Sequence, residues 1–269
     1  MSVAIGIDVG ATKLAAALVD TGTGSVLTRG RRPTVPQRGA HDVLQDCADL
    51  ADEVRGASAA QDVPIGIGVC ELVDPSGRIT SAATLDWGGV DIAGAFHGYR
   101  RVVVESDVRA AAVAEARFGA ARGLHSCVYL SVGTGIAFTL LIEGVPYQGS
   151  RGNALMLGAP MVEHVASGAA LARLGSVATA EETFESASGR DVVRRGAEQL
   201  GVAMAWLVNA LDPEAIVVGG GLGLRDDYRH AAVRTMRELI EVPATPSLEV
   251  RPALLGADAG AIGAALFAV

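Results

Sequence analysis

One pattern occurs twice in this chain and constrains its fold more than any other feature of the sequence. Residues 5–20, IGIDVGATKLAAALVD, and residues 128–143, VYLSVGTGIAFTLLIE, both read as an apolar strand, a Val-Gly corner of small residues, a second apolar strand and an acidic residue. Self-similarity of this kind predicts two related structural units. A Gly and Thr corner between two strands can present backbone N–H groups and hydroxyls to phosphate oxygens.

The corners could also be two unrelated hairpins whose glycines serve only the turn geometry. Their matched positions favour a phosphate clamp built from two related domains. Two other phosphate loops are excluded by spacing. Lys13 follows Thr12 and precedes Leu14, which is not the Gly-Lys-Ser/Thr of a P-loop, and GGGLGL at 219–224 has Leu224 where a dinucleotide fingerprint needs glycine.

Short apolar runs alternate with segments of helical periodicity, which is typical of an α/β architecture. Helices are predicted at 42–55, 108–118 and 191–211, and a capping box joins Thr179 to Glu182. The segment 22–39 is rich in Gly, Thr, Arg and Pro, but it does not resemble a domain linker. Strands are predicted at 3–9, 13–20, 65–70, 101–107, 127–132, 135–142, 215–220 and 247–253.

Composition excludes several classes of partner. Lysine and arginine total 22 and aspartate and glutamate total 30, giving a net charge of −8, which argues against binding to nucleic acid. The three cysteines are far apart and form no Cys-x-x-Cys pair, so neither a disulfide framework nor a zinc site is indicated. The sequence shows no signal peptide and no apolar run that would span a membrane. We therefore expect a cytoplasmic protein without a membrane partner.

Several linked segments, in order along nearly the whole chain, resemble the ROK (repressor, open reading frame, kinase) family of sugar kinases within the actin and hexokinase ATPase superfamily. IDVGATK is similar to the family's first phosphate motif and SVGTGI to its second. LVNALDPEAIVVGGGL resembles the adenosine segment, and GADAGAIGAA the closing helix. GIGVCELVDPSGRI is similar to the stretch that enters the sugar site, and VVVESDVRAAAVAEARFGAARG to the segment that carries the catalytic aspartate.

The resemblance implies two ribonuclease H-like α/β domains of the actin-like ATPase type, closing on a central cleft. We place the first at residues 1–108 with 254–269, and the second at residues 109–253. The resemblance further implies ATP and Mg²⁺ as cofactors, a small-molecule sugar or cyclitol as substrate, and a homodimer. The residues expected to bind the nucleotide are Asp8, Gly10, Ala11, Thr12, Lys13, Gly133, Thr134, Gly135, Gly219, Gly220 and Gly221.

The first phosphate motif contains the only lysine of the chain, Lys13. An ammonium group is a compact point charge, whereas the longer planar fork of arginine does not suit a tight corner, and this is a physical reason to retain one lysine among arginines. Asp8 is a hard oxygen ligand suited to Mg²⁺, through water. An exposed turn cation is the simpler interpretation of Lys13, but it leaves its uniqueness unexplained.

Asp107 is the candidate general base, because it is delivered from a strand end to a helix start. Its carboxylate could accept the proton of the attacking hydroxyl. The competing interpretation is helix capping, which Ser106 could perform instead and so leave Asp107 free for chemistry. The residues expected to bind the substrate are Glu71, Thr84, Ser106, Asp107, Met156 and Glu163.

The departures from the family pattern cluster in this substrate site. Family members usually carry Pro-Gly in place of Cys70-Glu71 and Asn-Asp in place of Ser106-Asp107. Where they show Glu-x-Gly-His, this chain reads Met-Leu-Gly-Ala at 156–159, and the cysteine-rich zinc segment that normally follows is absent. Zinc is therefore not expected, His164 is interpreted as a surface or packing residue, and plain glucose becomes a less suitable substrate than a cyclitol, carbasugar or amino sugar.

Two hypotheses of different class follow. The first is an ATP-dependent kinase acting on a hydroxyl of a sugar-like polyol. The second is a non-catalytic sugar sensor or pseudokinase of the same family. Both phosphate motifs and Asp107 are intact, and the acidic charge and early first motif argue against a DNA-binding repressor, so the kinase is favoured.

Overall fold

The computed structural model describes residues 2–56, 62–154, 162–241 and 248–269. The chain divides into two compact units. The first comprises Met1–Gly119, Pro146–Ala154 and Ala257–Val269, and the second comprises Ala120–Val145 and Leu155–Gly256. No helix in the described part of the chain combines the length and the apolar character that crossing a bilayer requires.

The first unit is built on a five-stranded sheet of order β3-β2-β1-β4-β5. Its strands β1 and β2 form an antiparallel hairpin, and β1, β4 and β5 run parallel to one another. Its helices are α1 (Ala40–Arg55), α2 (Ile92–Ala95), α3 (Asp107–Phe118) and α9 (Ala259–Phe267). The strands are β1 (Val3–Val9), β2 (Lys13–Asp20), β3 (Ser25–Pro33), β4 (Ile65–Val69) and β5 (Val102–Ser106).

The second unit repeats this arrangement. Its sheet has the order β10-β9-β6-β7-β8, with an antiparallel hairpin β6–β7 and parallel strands β6, β9 and β10. The helices are α4 (Glu163–Ala166), α5 (Gly168–Gly175), α6 (Ala180–Glu185), α7 (Gly189–Leu211) and α8 (Asp226–Leu239). The strands are β6 (Ser126–Val132), β7 (Ile136–Ile142), β8 (Val145–Pro146), β9 (Ala215–Gly219) and β10 (Glu249–Pro252). The shared strand order confirms the internal repeat.

Side chains alternate between the two faces of β1, and a different helix packs on each face. Ile5, Ile7 and Val9 face the core formed with α1. On the opposite face Gly6 lies beside Gly66 of β4, and a Cβ at either position would overlap backbone of α9. The paired glycines therefore let α9 lie directly on the sheet.

Two features of the first unit differ from the domain prediction. Helix α3 lies in this unit and not in the second, and residues 146–154 also belong to it. The reason is close packing of α3 on α9, because a Cβ at Gly263 would overlap the carbonyl of Ala110. Likewise, a Cβ at Gly152 would overlap the backbone of Val73. These contacts join segments that are distant in sequence.

Candidate functional site

The carboxyl ends of the three parallel strands β1, β4 and β5 bring three acidic residues to one edge of the sheet: Asp8, Glu71 and Asp107. Register places Asp8 opposite Gly68, and Gly68 opposite Glu105, so Glu71 and Asp107 follow directly beyond the same edge. A Cβ at Gly68 would lie 3.5 Å from the Cα of Asp107. Ligands in α/β sheets bind outside the carboxyl ends of strands, and this edge is therefore the candidate acceptor site.

Asp107 is the carboxylate in this cluster that is best suited to take up a proton. It is partly buried, and its pKa is raised to about 7, chiefly by burial and then by the charge of Asp8. Hydrogen bonds from the Val108 N–H and the Ser106 side chain lower the pKa by less. A general base works best with a pKa near the operating pH.

Ser106 does not act as the helix cap that the sequence suggested. It occupies the N-cap position of α3 but makes no side-chain capping hydrogen bond, and it is only 2% exposed. Its side chain lies near the Asp107 carboxylate and slightly lowers the pKa of that group. The burial of Ser106 is a poor fit to the predicted contact with substrate.

A buried ion pair that sequence reasoning missed supports this turn. Glu105 accepts hydrogen bonds from the Ser106 N–H at 2.7 Å and from Nε of Arg109 at 2.7 Å. Arg109 is fully buried and also donates through Nη2 to the carbonyl of Val73 at 2.6 Å. The signal in the sequence was the i,i+4 charge pair that flanks Asp107.

Asp8 fits the role of a magnesium ligand. Its pKa is raised to about 6 because burial outweighs the attraction of Lys13. Among the described residues its side chain accepts no hydrogen bond and forms no ion pair, so its oxygens are available to a hard cation or to that cation's waters. It also lies close to the start of α9, where a Cβ at Gly260 would be 2.6 Å from its Cγ.

The first corner forms as expected between β1 and β2. The Gly10 N–H donates to the carbonyl of Lys13 at 3.0 Å and closes the turn. Thr12 and Lys13 are exposed, and in the described part of the chain the N–H groups of Ala11 and Thr12 make no backbone hydrogen bond. The groups available to phosphate oxygens are therefore the N–H groups of Ala11 and Thr12 and the side chains of Thr12 and Lys13.

Glu71 is only 2% exposed and is engaged by the protein itself. One carboxylate oxygen accepts from the Ser81 hydroxyl at 2.6 Å and from the Ala83 N–H at 2.9 Å. The other accepts from the N–H groups of Thr84 at 2.7 Å and Leu85 at 2.9 Å. Four hydrogen bonds use the acceptor capacity of a carboxylate, which corrects the prediction that Glu71 contacts the substrate.

Thr84 is placed beside Cys70 by this arrangement. It is partly buried, and its side chain lies near the thiol of Cys70, where it acts to lower the pKa of that thiol. Burial raises the pKa of Cys70 to about 12, with further contributions from the charges of Asp107 and Glu71. Thr84, Cys70 and Asp107 thus belong to one cluster, in which Cys70 stays a neutral thiol.

The second unit assembles its own corner from residues 133–135. The Gly133 N–H donates to the carbonyl of Gly135 at 2.9 Å, and the start of α5 donates back to the corner through Gly168 N–H to Gly133 O at 2.8 Å. Glu163 accepts from the Ile136 N–H at 3.2 Å, and a Cβ at Gly135 would lie 3.5 Å from its Oε2. Gly133, Thr134, Gly135 and Glu163 are therefore neighbours. His164 is exposed, as expected for a surface residue.

The three glycines at the end of β9, Gly219 to Gly221, are explained in different ways. A Cβ at Gly219 would overlap the Tyr129 hydroxyl, and Gly220 has a φ of +80° and packs on the backbone of Val132. Packing within the unit therefore explains these two positions. Gly221 faces open space, so it is the glycine at which a flat ligand could approach the backbone closely.

Two further observations concern the predicted site. Met156 and the rest of residues 155–161 lie outside the described residues. The first unit also contains a cavity of about 870 Å³ along the outer edge of β5, lined by segments 74–82, 86–93 and 101–105 with Gln148. None of the predicted site residues that the structure describes lines it.

Within the described residues no group of three or more His, Cys, Asp or Glu side chains is placed to hold a metal ion. Asp8 would therefore hold Mg²⁺ together with ligands such as water or the phosphate oxygens of a nucleotide.

Two α/β units of one topology, each with a glycine corner between its first two strands, define the actin-like ATPase fold. The family model described as ROK family matches residues 4–269. The chain belongs to the ROK family.

Solved structures and a curated relative agree with this assignment. A ROK family glucokinase from Streptomyces griseus in complex with glucose and AMPPNP has a TM-score of 0.81 and 28% identity, covering 99% of both chains. A ROK hexokinase from Thermus thermophilus has a TM-score of 0.79 and 30% identity, covering 99% of this chain and 97% of that one. The glucokinase of Halalkalibacterium halodurans is 28% identical over 306 residues, covering 96% of this chain and 92% of the relative.

Proposed function

We propose that this protein is an ATP- and Mg²⁺-dependent kinase that phosphorylates a hydroxyl of a sugar or sugar-like polyol. The observation that carries the proposal is the acidic cluster of the first unit, in which Asp107 has a pKa raised to about 7 beside Asp8. The similarity of the chain to glucokinases and a hexokinase supports carbohydrate phosphorylation as the reaction class.

Each residue of the cluster has a distinct part in the chemistry. Asp107 accepts the proton of the acceptor hydroxyl, a contribution of roughly 10²–10⁴-fold in rate. Lys13 and the corner N–H groups hold phosphate oxygens and offset their charge. Asp8 would hold Mg²⁺, through water, and the bound ion supplies positive charge to the phosphates.

We further propose that the acceptor is a cyclitol, carbasugar or amino sugar and not plain glucose. Met156 and Ala159 stand where the family's Glu and His would hydrogen-bond a sugar. Each hydroxyl that is desolvated without a partner costs roughly 1–3 kcal/mol. Thr84 and Glu163 stay predicted as polar contacts from the sequence, and the carboxylate of Glu163 would suit an amino group. A cytoplasmic location and a homodimer remain predictions.

A coupled assay for ADP release tests the proposal with purified protein, MgATP and a panel of hexoses, amino sugars, inositols and carbasugars. We expect turnover with at least one polyol, and its loss in Asp107→Asn. Asp49→Asn, an exposed carboxylate of α1, is the matched control that keeps activity. Saturable binding of a sugar and ATP without ADP release would instead identify a sensor or pseudokinase.

A further inference from the structure

Glu71 replaces the glycine usual in the family, and its carboxylate is directed into the segment 81–85. Three successive N–H groups, those of Ala83, Thr84 and Leu85, point at its two oxygens, together with the hydroxyl of Ser81. Consecutive N–H groups of this kind form an anion-binding nest. Here the anion is a side chain of the protein.

The nest closes a loop that begins directly after β4. The Leu72 N–H donates to Oγ of Ser81 at 2.8 Å, and the Thr80 N–H donates to the carbonyl of Leu72 at 2.8 Å. Leu85, at the far end of the segment, is 3% exposed and packs into the core of the first unit. Without Glu71 the three N–H groups of the nest would lose their acceptor, which is most costly for the buried N–H of Leu85.

We propose that Glu71 is a positioning residue for the acceptor site, holding Thr84 beside Cys70 just beyond the end of β4 without touching the substrate. The inference rests on the proposed function for the identity of the ligand. It differs from a direct contact because all four acceptor positions of the carboxylate are occupied within the protein. Specificity toward the acceptor then depends on a side chain that lies one layer behind it.

The first test is amide hydrogen exchange, which requires no activity. In Glu71→Gln the amide keeps one acceptor oxygen but presents its NH₂ group to two of the four donors. We expect exchange at residues 83–85 to accelerate by at least roughly tenfold, while exchange in β1 and β4 stays unchanged. Equal exchange in wild type and variant would overturn the anchoring role.

The second test is a double-mutant cycle with Thr84→Val, read as the acceptor Kd by calorimetry and as KM. If Glu71 acts through Thr84, each single variant weakens acceptor binding by roughly tenfold and the double variant is no weaker than Thr84→Val alone, with KM for MgATP unchanged. Additive losses would show that Glu71 contacts the substrate itself and overturn the proposal.

A variant that fails to fold is replaced by Ser81→Ala, which removes one donor to Glu71 and should change exchange and acceptor binding in the same direction by a smaller factor. If Ser81→Ala changes neither amide exchange at residues 83–85 nor acceptor binding, the proposal is wrong. Failure of the proposed function is seen separately, as sugar binding without ADP release. The cycle can still be read from Kd in that case.

Discussion

Replacing Asp107 by asparagine should stabilise the protein and inactivate it at the same time. The pKa of Asp107 lies at about 7 against an ordinary value of 3.8, chiefly because burial disfavours its charged form. Below pH 4 both the folded and the unfolded state bind the proton. Between pH 4 and 7 the unfolded state ionises first, so the free energy of unfolding falls as the pH rises.

The pKa of Asp107 differs by roughly three units between the folded and the unfolded state. At 1.36 kcal/mol per unit, the resulting loss in the free energy of unfolding is at most about 4 kcal/mol. Partial exposure of the side chain and its coupling to Asp8 reduce the expected effect to about 1–2 kcal/mol. Asparagine keeps the size of the side chain and carries no charge. The variant should therefore exceed the wild type by this amount at pH 8 and match it near pH 4.

Urea unfolding of ligand-free protein between pH 4 and 8, without nucleotide or Mg²⁺, measures the difference. Asp49→Asn serves again as the control and should show no comparable pH-dependent gain. In the same preparations ADP release should fall by roughly 10²–10⁴-fold in Asp107→Asn only. If Asp107→Asn is no more stable than the wild type at pH 8, the burial argument is refuted. If Asp107→Asn keeps near-full turnover, the general base is another residue, such as Glu163.

Three further predictions concern the phosphate corner, the metal and the acceptor. Lys13→Ala should weaken MgATP binding as well as turnover, and Lys13→Arg should do so too; titration calorimetry showing wild-type affinity for Lys13→Arg would contradict the point-charge argument. MgATP binding should survive exhaustive zinc removal but not chelation of Mg²⁺, so loss of folding after zinc removal would reveal a misread metal site. Glucose should be a poor substrate, and the double change Met156→Glu with Ala159→His should raise kcat/KM for glucose by roughly tenfold or more. Efficient phosphorylation of glucose by the wild type would contradict this prediction.

Local patterns were sufficient for the elements that carry the phosphate corners. Strands β1 and β2 begin and end at the residues that apolar periodicity predicted, and the Thr179 hydroxyl accepts from the Glu182 N–H as the capping box required. Both signals depend on residues a few positions apart, so no knowledge of distant packing is needed. By contrast, β3 was not predicted, because it is an edge strand with mostly exposed polar residues and shows little apolar alternation.

The sequence by itself determined the repeat, the α/β class, the family and the residues expected at the site. Tertiary structure alone decided what several of those residues do. Glu71 looked like a free carboxylate until the loop at 81–85 supplied four donors, and Ser106 looked like a helix cap although its buried side chain makes no capping hydrogen bond. The pKa values of Asp8 and Asp107 likewise depend on burial and mutual charge, which arise only when β1, β4 and β5 align their carboxyl ends. Periodicity and capping are local properties of a chain, whereas hydrogen-bond satisfaction and desolvation depend on groups that folding brings together from distant positions.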